Sequence, residues 1–258
     1  MIRVVRRGLI LGVPLVALLA VACAGGSDQR IVVSAASSLT DAFTEVAAAF
    51  EASQDSVTVD LNFGASSALA VQIVEGAPAS VFASANEAQM GVVRDAGLAP
   101  DPVRFTSNRL VLVIPSDGAL GSFEEIASSG VRLVLAGPDV PVGAYARTAI
   151  EAASADYGAG FATGALANVV SEEPNVRAVL TRIELGEADA GIVYATDAAI
   201  AGDAVRTIEI PTSYAPQADY FIAVVGDAPS DAAKAFVTFV LSADGQAILA
   251  RHGFELGG

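Results

Sequence analysis

Four short segments of this 258-residue chain place small hydroxyl-bearing residues, glycine or proline just before a predicted helix. They are residues 34–40 (SAASSLT), 64–67 (GASS), 137–143 (GPDVPVG) and 173–176 (EPNV). A helix start carries several unpaired N–H groups and about half a positive charge, so each segment is a candidate anion site. A serine in such a place more often caps its own helix, and glycine and proline are ordinary turn residues. The four segments together favour an anion-binding protein without naming the anion.

The residue types that most often carry catalysis are sparse in this chain. His252 is the only histidine and Cys23 the only cysteine, so the sequence offers no histidine and cysteine set for a metal ion. The acidic pairs at 124–125 and 172–173 are adjacent in sequence, which is usual for a solvated surface. Neither a G-x-S-x-G elbow nor a Walker A loop is present. We expect His252 to have a structural role at the end of the last helix. An exported α/β enzyme remains the alternative class to a binding protein.

The elements that position these segments alternate between short apolar runs and helical patterns. Predicted strands cover residues 31–33, 57–63, 81–83, 110–114, 131–136, 191–194 and 220–225, and predicted helices cover 40–50, 69–74, 87–96, 144–153, 176–183, 231–241 and 244–251. Such alternation indicates βαβ units and a mostly parallel sheet, and the pattern restarts near residue 110. We therefore predict an α/β protein of two lobes, each a mostly parallel sheet flanked by helices, with a small-ligand site between them.

The N-terminal residues have the composition of a secretory signal. Three arginines precede an apolar run at 8–22 that ends in small residues and is shorter than the roughly 20 residues of a membrane span. Cys23 follows at once, and the LAVAC sequence that contains it resembles a bacterial lipobox, in which the cysteine is lipidated. A plain signal peptide followed by an incidental cysteine is the alternative. We predict a signal peptide at 1–22, lipidation of Cys23 and a tether at 23–30, and hence an exported protein, periplasmic or on the outer face of the cell membrane.

The charge balance of the chain is strongly acidic. Cleavage after residue 22 removes three of the fourteen basic residues and no acidic one, so the formal net charge falls from −15 to −18. Nucleic-acid binding depends on clustered lysine and arginine, so this balance argues against a nucleic-acid partner. The 236 residues that remain suffice for one large domain or for two lobes with cores of their own.

Five stretches of the chain carry a family resemblance. They are SAASSLTDAF, NFGASSALAVQIVEGAPASVFASAN, DVPVGAYARTAI, PNVRAVL and EADAGIVYATDA. Their sequences, order and spacing resemble the periplasmic molybdate-binding proteins of ABC transporters, which belong to the type II solute-binding proteins. The resemblance extends over essentially the whole chain after the signal sequence.

The resemblance implies five ligand contacts. Ser38 and Ser66 match hydroxyl donors, and the backbone N–H of Ser38 is implied to contribute as well. Val142 and Val176 match backbone N–H donors, and Tyr194 matches a phenol donor. Three further residues are implied to be neighbours of these contacts, namely Ser37, Ser67 and Tyr145. The metal of molybdate is then held only through its oxygens, with no residue bound to it directly.

The resemblance also implies an architecture and a set of partners. It implies the two-lobed type II periplasmic-binding-protein fold, with lobe 1 formed by residues 31–108 and 219–258, lobe 2 by 109–218, and hinge strands near Arg109 and Asp219. The ligand, molybdate or tungstate, is expected in the interlobe cleft. The other expected partners are an ABC transporter permease and the membrane, through the lipid on Cys23. The chain is expected to be a monomer that uses no cofactor.

Two positions depart from the family pattern. Ser80 stands where the family usually has aspartate in a GAPAD segment, and Val142 stands where it often has alanine. A backbone donor survives the change at Val142, although the larger side chain narrows the expected site. The change at Ser80 removes a carboxylate that the family pattern places near the site, and the sequence leaves its effect on the local geometry open.

The implied contacts are all neutral hydrogen-bond donors. A donor-only site disfavours hydrogen phosphate, because the proton of that ion needs an acceptor, whereas sulfate has to be rejected by size. Within the same architecture the alternative ligands are sulfate, thiosulfate, phosphate or a small carboxylate. An adhesion or structural lipoprotein is a further alternative, although such a protein has no need of four donor-rich helix starts.

Overall fold

The computed structural model describes residues 1–2, 29–226 and 228–256. Cys23 and all but the first two residues of the predicted signal peptide lie outside the described residues. The predicted tether ends earlier than expected, because Gln29 and Arg30 already belong to the first strand, where they pair with Val57 and Thr58.

Strands and helices alternate through most of the described chain. The strands are β1 (Gln29–Ala36), β2 (Val57–Gly64), β3 (Val81–Ser84), β4 (Val103–Asn108), β5 (Leu110–Pro115), β6 (Leu133–Ala136), β7 (Val169–Glu173), β8 (Ala190–Tyr194), β9 (Val205–Glu209), β10 (Ala218–Val224) and β11 (Glu255–Leu256). The helices are α1 (Thr40–Ser53), α2 (Ser66–Val74), α3 (Glu87–Asp95), α4 (Pro141–Tyr157), α5 (Phe161–Ala167), α6 (Val176–Glu184), α7 (Ala195–Ala201), α8 (Asp231–Leu241) and α9 (Ala243–Arg251).

The strands form two sheets. The first has the order β11-β4-β10-β3-β1-β2, and the second has the order β7-β6-β8-β5-β9. In the first sheet β1 pairs in parallel with β2 and β3, and in the second β6 pairs in parallel with β7 and β8. The remaining pairs are antiparallel, namely β10 with β3 and β4, β11 with β4, and β5 with β8 and β9. The prediction of mostly parallel sheets is therefore wrong, because β5 and β10 enter a sheet directly from the other one and run against their neighbours, and β11 returns against β4.

The chain passes between the sheets at two places. Arg109 alone separates β4 of the first sheet from β5 of the second, and residues 210–217 connect β9 of the second sheet to β10 of the first. Asn108 hydrogen-bonds to Thr196 of α7 beside the first connection, and Gln217 hydrogen-bonds to Ser107 beside the second. Both connections are therefore anchored by side chains at the strand ends they join.

Aromatic packing dominates the core of the first sheet. Phe43 and Phe50, one face of α1 as its periodicity predicts, contact Phe236 of α8 edge-on, with ring centroids 6.2 and 5.3 Å apart. Phe105 of β4 also packs edge-on against Phe43. Burial of such side chains contributes about 1.5–3 kcal/mol each. The second sheet is covered by aliphatic side chains of α4 and α6, including Ile150, Val179 and Ile183.

No single helix within the described residues combines the length and apolar character needed to cross a membrane. Helices α8 and α9 reach that length and hydropathy only together, and the chain bends by 60° between them.

Candidate functional site

A small cavity lies where the ends of strands from both sheets meet the starts of helices. Its volume is about 10 Å³. The lining residues are Ala36, Ser37, Ser38, Gly64, Ala65, Ser66, Ala85, Val140, Pro141, Val142, Val176 and Tyr194. All five contact positions expected from the sequence are among them, together with Ser37. Ser67 and Tyr145 are not among the lining residues.

Two of the helices that begin at the cavity, α2 and α4, lack a side-chain cap, whereas α6, which also begins there, has one. Among described helices of eight or more residues, α3, α6, α8 and α9 each start with a side chain that accepts from a backbone N–H. Helices α1, α2 and α4 have no such cap. The serines of residues 34–40 and 64–67 do not cap these helices. The N-cap residue of α2 is Ala65, and that of the short 3-10 turn at Ser37–Leu39 is Ala36. The N–H groups at these starts remain available to a ligand.

Each of the two contact serines is hydrogen-bonded to a buried protein group. Ser66 Oγ accepts from the backbone N–H of Ala85 at 3.0 Å. Ser38 Oγ lies 2.8 Å from the hydroxyl of Tyr220, in β10. A backbone N–H can only donate, so the proton of Ser66 is left for another acceptor. At Ser66, therefore, the group presented to the cavity is a donor.

Tyr194 brings a third hydroxyl to the cavity from the end of β8. Its side chain is buried, and its ring packs edge-on against Tyr220 with centroids 5.8 Å apart. The hydroxyl makes no well-formed hydrogen bond within the part of the chain that the structure describes. Burial raises the pKa of Tyr194 well above its ordinary value, so the group remains a neutral donor. A buried donor without a partner costs about 1–3 kcal/mol, which an acceptor in the cavity recovers.

Helix α4 reaches the cavity through a very close approach to β6. It begins at Pro141, three residues earlier than the sequence predicts, because proline at the first helical position has a suitable φ and no N–H to satisfy. A Cβ on Gly143 would lie 2.1 Å from the carbonyl oxygen of Gly137 and 2.4 Å from that of Ala136. Only glycine permits this contact, and the contact holds the buried Val142 against the cavity.

Helix α6 presents Val176, its first residue, to the cavity. Asn175 caps this helix by accepting from the N–H of Ala178 at 3.0 Å, so the capping side chain does not occupy the N–H of Val176. The loop before α6 is tied to the loop before α4, because the N–H of Gly137 donates to the carbonyl of Glu173 at 2.9 Å. The two helix starts of the second sheet are therefore held as one unit.

Charged side chains surround the cavity but do not line it. Arg177 follows Val176 and forms ion pairs with Asp197 at 2.7 Å and with Asp41, on α1, at 2.5 Å. Asp197 is fully buried, and burial raises its pKa to about 7 although Arg177 opposes the shift. The guanidinium is thus committed to carboxylates, and it connects the helix layers of the two sheets.

The remaining residues singled out from the sequence lie farther from the cavity. Tyr145 is half-buried on α4, and burial, then Asp219 and Glu87, raise its pKa to about 12. Ser67 is half-buried as the second residue of α2. Ser80, the departure from the family pattern, accepts from the N–H of Val32 at 3.1 Å and extends the pairing of β1 with β3. The serine therefore has a sheet-pairing role at a distance from the cavity lining.

The residues considered for catalysis or metal binding do not form a site. His252 ends α9 and contacts Glu45 of α1 at 2.8 Å, so its environment is that of a helix-end contact. Within residues 1–2, 29–226 and 228–256, no group of three or more histidine, cysteine, aspartate or glutamate side chains is placed to hold a metal ion.

Sequence reasoning missed two residues that shape the cavity. Ala85 supplies the N–H that Ser66 accepts, and Tyr220 supplies the hydroxyl that Ser38 contacts. The only signal for Ala85 was its place after a buried strand. Tyr220 was predicted merely to begin a strand, because nothing local reveals that it meets a serine 182 residues away.

Comparison with known proteins gives three findings. The family described as "Bacterial extracellular solute-binding protein" matches residues 31–255. The molybdate-binding protein ModA of Mycobacterium tuberculosis is 38% identical over 230 residues, which cover 88% of this chain and 84% of that protein. Two solved structures share the fold. The periplasmic molybdate-binding protein of Azotobacter vinelandii has a TM-score of 0.76 at 22% identity and covers 88% of this chain and 100% of that chain. The sulfate-binding protein SubI of Mycobacterium tuberculosis has a TM-score of 0.77 at 20% identity, covering 88% and 86%.

The structural likeness confirms the predicted two-lobed α/β fold, in which helices flank two sheets. Because the two neighbours are named for different oxyanions, the fold alone does not select between those ions.

Proposed function

This chain belongs to the family of bacterial extracellular solute-binding proteins, and we propose that it captures a fully deprotonated tetrahedral oxyanion, molybdate or tungstate, for an ABC transporter. Membership of a solute-binding family makes it an exported binding protein rather than an enzyme. The observation that carries the choice of ligand is the donor set around the cavity. Four hydroxyl-bearing residues and the starts of the uncapped helices α2 and α4 converge there, and no charged side chain lines it.

The proposed contacts are the hydroxyls of Ser38, Ser66 and Tyr194 and the backbone N–H groups of Val142 and Val176. Hydrogen bonds to a charged group contribute about 1.5–3 kcal/mol each, so several of them offset the cost of removing a dianion from water. Neutral donors hold the ion without a permanent counter-charge, which suits reversible capture and release. The small size of the cavity favours a compact ion over an extended organic solute.

The strongly acidic net charge has little influence at the cavity itself. Salt screens exposed charges beyond roughly 8 Å at physiological ionic strength, whereas the donors act at contact distance. We expect the negative charge to slow association more than it weakens affinity.

Ligand capture requires the two lobes to close on the ion. We assign lobe 1 to residues 31–108 and 219–258 and lobe 2 to 109–218, with Arg109 and the chain before Asp219 as the hinge. Ser38 and Ser66 then contact the ion from one lobe, and Val142, Val176 and Tyr194 from the other. The passage of the chain between sheets at these two places supports this assignment. The permease would select the closed form of a monomer.

We further propose that Cys23 is lipidated and holds the protein at the outer face of the cell membrane. The support is the LAVAC sequence after the apolar run at 8–22. Replacement Cys23→Ser should move the protein from the membrane fraction to the soluble fraction of the cell envelope. Retention at the membrane would contradict the anchor and leave the ligand proposal untouched.

Thermal unfolding tests the ligand directly. The chain from Ala24 onward is unfolded alone and with molybdate, tungstate, sulfate or phosphate. Ligand at 1,000 times its dissociation constant stabilises by about 4 kcal/mol, which raises Tm by roughly 10 °C for a chain of this length. We expect that rise with molybdate and tungstate only. An equal rise with sulfate, or no rise with either metal oxyanion, would overturn the assignment.

A further inference from the structure

A separate cavity lies where the chain passes between the two sheets, and it shares no lining residue with the oxyanion cavity of the proposed site. We call it the hinge cavity, and its volume is about 370 Å³. Both connections between the sheets form its wall, since Arg109 is the first connection and residues 210–217 are the second. The lining residues are Arg109, Leu110, Glu209, Ile210, Thr212, Ala215, Pro216, Gln217 and Glu255.

The strands that carry the connections separate the two cavities. In the second sheet β5 lies between β8, whose last residue Tyr194 lines the oxyanion cavity, and β9, whose last residue Glu209 lines the hinge cavity. In the first sheet β4 and β10 lie between β11, which contributes Glu255 to the hinge cavity, and strands β3, β1 and β2, which lead into the oxyanion cavity. The two cavities therefore lie on opposite flanks of the connections.

The second connection is anchored to the proposed lobe 2 by Tyr214. Its ring packs against those of Phe123 and Tyr157, with centroids 6.5 and 5.7 Å apart. Its hydroxyl donates to Asp156 Oδ2 at 2.6 Å. All three partners belong to the lobe formed by residues 109–218, so this part of the connection should move with that lobe.

The same connection is anchored to the proposed lobe 1 by Gln217. The side-chain amide nitrogen of Gln217 donates to Ser107 Oγ at 2.7 Å and also hydrogen-bonds to the carboxylate of Glu255. Only Ala215 and Pro216 separate this anchor from the tyrosine anchor. A bend of the second connection is therefore confined to two residues, and both of them line the hinge cavity.

The bending points of both connections thus lie in the wall of the hinge cavity, with the oxyanion cavity on their other flank. A rotation of the lobes about these points that widens one cavity narrows the other. The oxyanion cavity has a volume of about 10 Å³, whereas the hinge cavity has about 370 Å³. A closed site beside an open hinge cavity agrees with this relation.

Resting on the lobe assignment proposed above, we infer that the hinge cavity is the space that closes up when the lobes open, so that a side chain filling it holds the lobes closed and slows release of the ion. The buried side chains of Leu110 and Ile210 give part of its wall an apolar surface against which such a side chain can pack. A group that fits only one of two lobe arrangements shifts the population towards that arrangement.

Two substitutions that fill the hinge cavity test this inference. Thr212 is exposed and Ala215 is half-buried, so the fold should tolerate Thr212→Leu and Ala215→Leu. We expect either variant to bind molybdate about three- to tenfold more tightly, chiefly through slower dissociation, because a larger fraction of the free protein is already closed. Calorimetry gives the affinity and stopped-flow tyrosine fluorescence the dissociation rate. Unchanged or weaker binding in both folded variants would overturn the inference.

The matched control is Ala119→Leu. Ala119 lines a different cavity, of about 530 Å³, whose lining residues all fall within residues 115–189 and hence within one proposed lobe. Filling that cavity cannot oppose a rotation between the lobes, so molybdate affinity should equal that of the wild type. A gain of the same size in the control would mean that the effect does not come from the hinge.

The lobe arrangement is also measurable without any ligand. The chain from Ala24 onward contains no cysteine, so spin labels can be attached at Val71→Cys in lobe 1 and Leu185→Cys in lobe 2, both exposed positions. Pulsed electron resonance should show that Thr212→Leu shifts the distances of the free protein towards those of the wild type with molybdate. Distances equal to those of the free wild type would contradict the inference.

The two proposals fail in distinguishable ways. Wild-type protein that binds no oxyanion would contradict the proposed function. In that case a crosslink-free comparison of label distances between free wild type, Thr212→Leu and Ala119→Leu still judges the hinge cavity. A narrower and shifted distance distribution in Thr212→Leu alone would support its role, and identical distributions in the three proteins would overturn it.

Discussion

At the scale of single residues, the cavity is lined by neutral hydroxyls and by no charged side chain. Ser66 accepts from Ala85, and Ser38 is contacted by Tyr220. Tyr194 contributes a buried hydroxyl with no well-formed partner among the described residues. Ser66 and Tyr194 therefore each have a proton to give to a ligand. A set of this kind recognises negative charge without using any cationic side chain.

Replacement Ser66→Ala should separate ligand binding from helix capping. We expect molybdate affinity to fall by roughly tenfold or more, because one hydrogen bond to a charged group contributes about 1.5–3 kcal/mol. Ser67→Ala is the matched control, since Ser67 lies next to it at the start of α2 without lining the cavity. Calorimetric titration of both variants measures the difference. Similar losses in the two variants would assign the serines to the helix start rather than to the ligand.

Replacement Tyr194→Phe should have opposite effects on stability and binding. The free protein should keep or gain stability, because a buried donor without a partner costs about 1–3 kcal/mol and the variant removes it. Molybdate affinity should fall at least about tenfold, since the ion loses one donor. Urea unfolding without ligand and calorimetry with ligand provide the two numbers. A variant that loses stability while binding normally would make the hydroxyl a structural group.

At the scale of elements, two of the helices that begin at the cavity, α2 and α4, lack side-chain caps. Helix α6 also begins there and is capped by Asn175, and α3, α8 and α9, which begin elsewhere, are capped by Asn86, Ser230 and Ser242. A missing cap costs about 0.5–2 kcal/mol. At α2 and α4 the fold carries this cost where an anion can supply the missing acceptor.

Replacement Gly143→Ala should move the start of α4. The added Cβ would overlap the carbonyl oxygens of Gly137 and Ala136, so the helix must shift away from β6 and take the Val142 N–H with it. We expect a loss of about 1–3 kcal/mol in unfolding free energy together with weakened oxyanion binding. Gly160→Ala is the matched control in the same lobe, because its Cβ meets nothing within 4 Å. Thermal unfolding with and without molybdate distinguishes the two variants.

The sequence predicted most helices and the interior strands, because these elements bury one regular face. It missed β7, β9 and β11, which lie at sheet edges and expose much of their length. It also missed β4, whose buried residues include the polar Thr106, Ser107 and Asn108. An apolar pattern cannot indicate a strand that is buried with polar side chains or exposed at an edge.

Helix starts gave four candidate segments and the family resemblance gave the five expected contact residues, and the structure brings all five to one cavity. The partners of the serines could not be predicted in the same way. Ser38 and Tyr220 are 182 positions apart, and Ala85 acts through a backbone N–H that any residue would carry. Such contacts depend on the register between distant strands, which local patterns do not contain.

At the scale of the whole molecule, two sheets are joined at two narrow connections and bridged by side chains across the cavity. Arg177 of α6 forms one ion pair with Asp197 of α7, and both of these helices flank the second sheet. It forms another with Asp41 of α1, which flanks the first sheet. Gln89 of α3 adds a hydrogen bond to the carbonyl of Asp139 at 3.3 Å. The Asp41 pair connects elements on both sides of the proposed cleft, so we expect it to break when the lobes move apart. Closure and this ion pair should therefore stabilise each other.

Replacement Asp41→Asn should weaken that link while leaving the Arg177 pair with Asp197 in place. We expect molybdate to dissociate about two- to fivefold faster, in line with the roughly 0.2–1 kcal/mol of a partly exposed ion pair. The association rate should stay the same or rise, because a negative charge near an anion has been removed. Loss of charge alone would strengthen binding, so faster dissociation can be assigned to the missing pair.

The matched control is Asp60→Asn, which breaks an ion pair with Arg30 inside one lobe. The two carboxylates are equally exposed, with 42% for Asp41 and 41% for Asp60, although Arg30 is more exposed than Arg177 and its pair is therefore the more strongly screened. The chain has no tryptophan, and stopped-flow tyrosine fluorescence can follow the ligand through Tyr194 at the cavity. Dissociation should become faster in Asp41→Asn alone, and the difference should shrink in high salt as the pair is screened. Equal rates in the two variants would mean that the Arg177 bridge does not hold the lobes together.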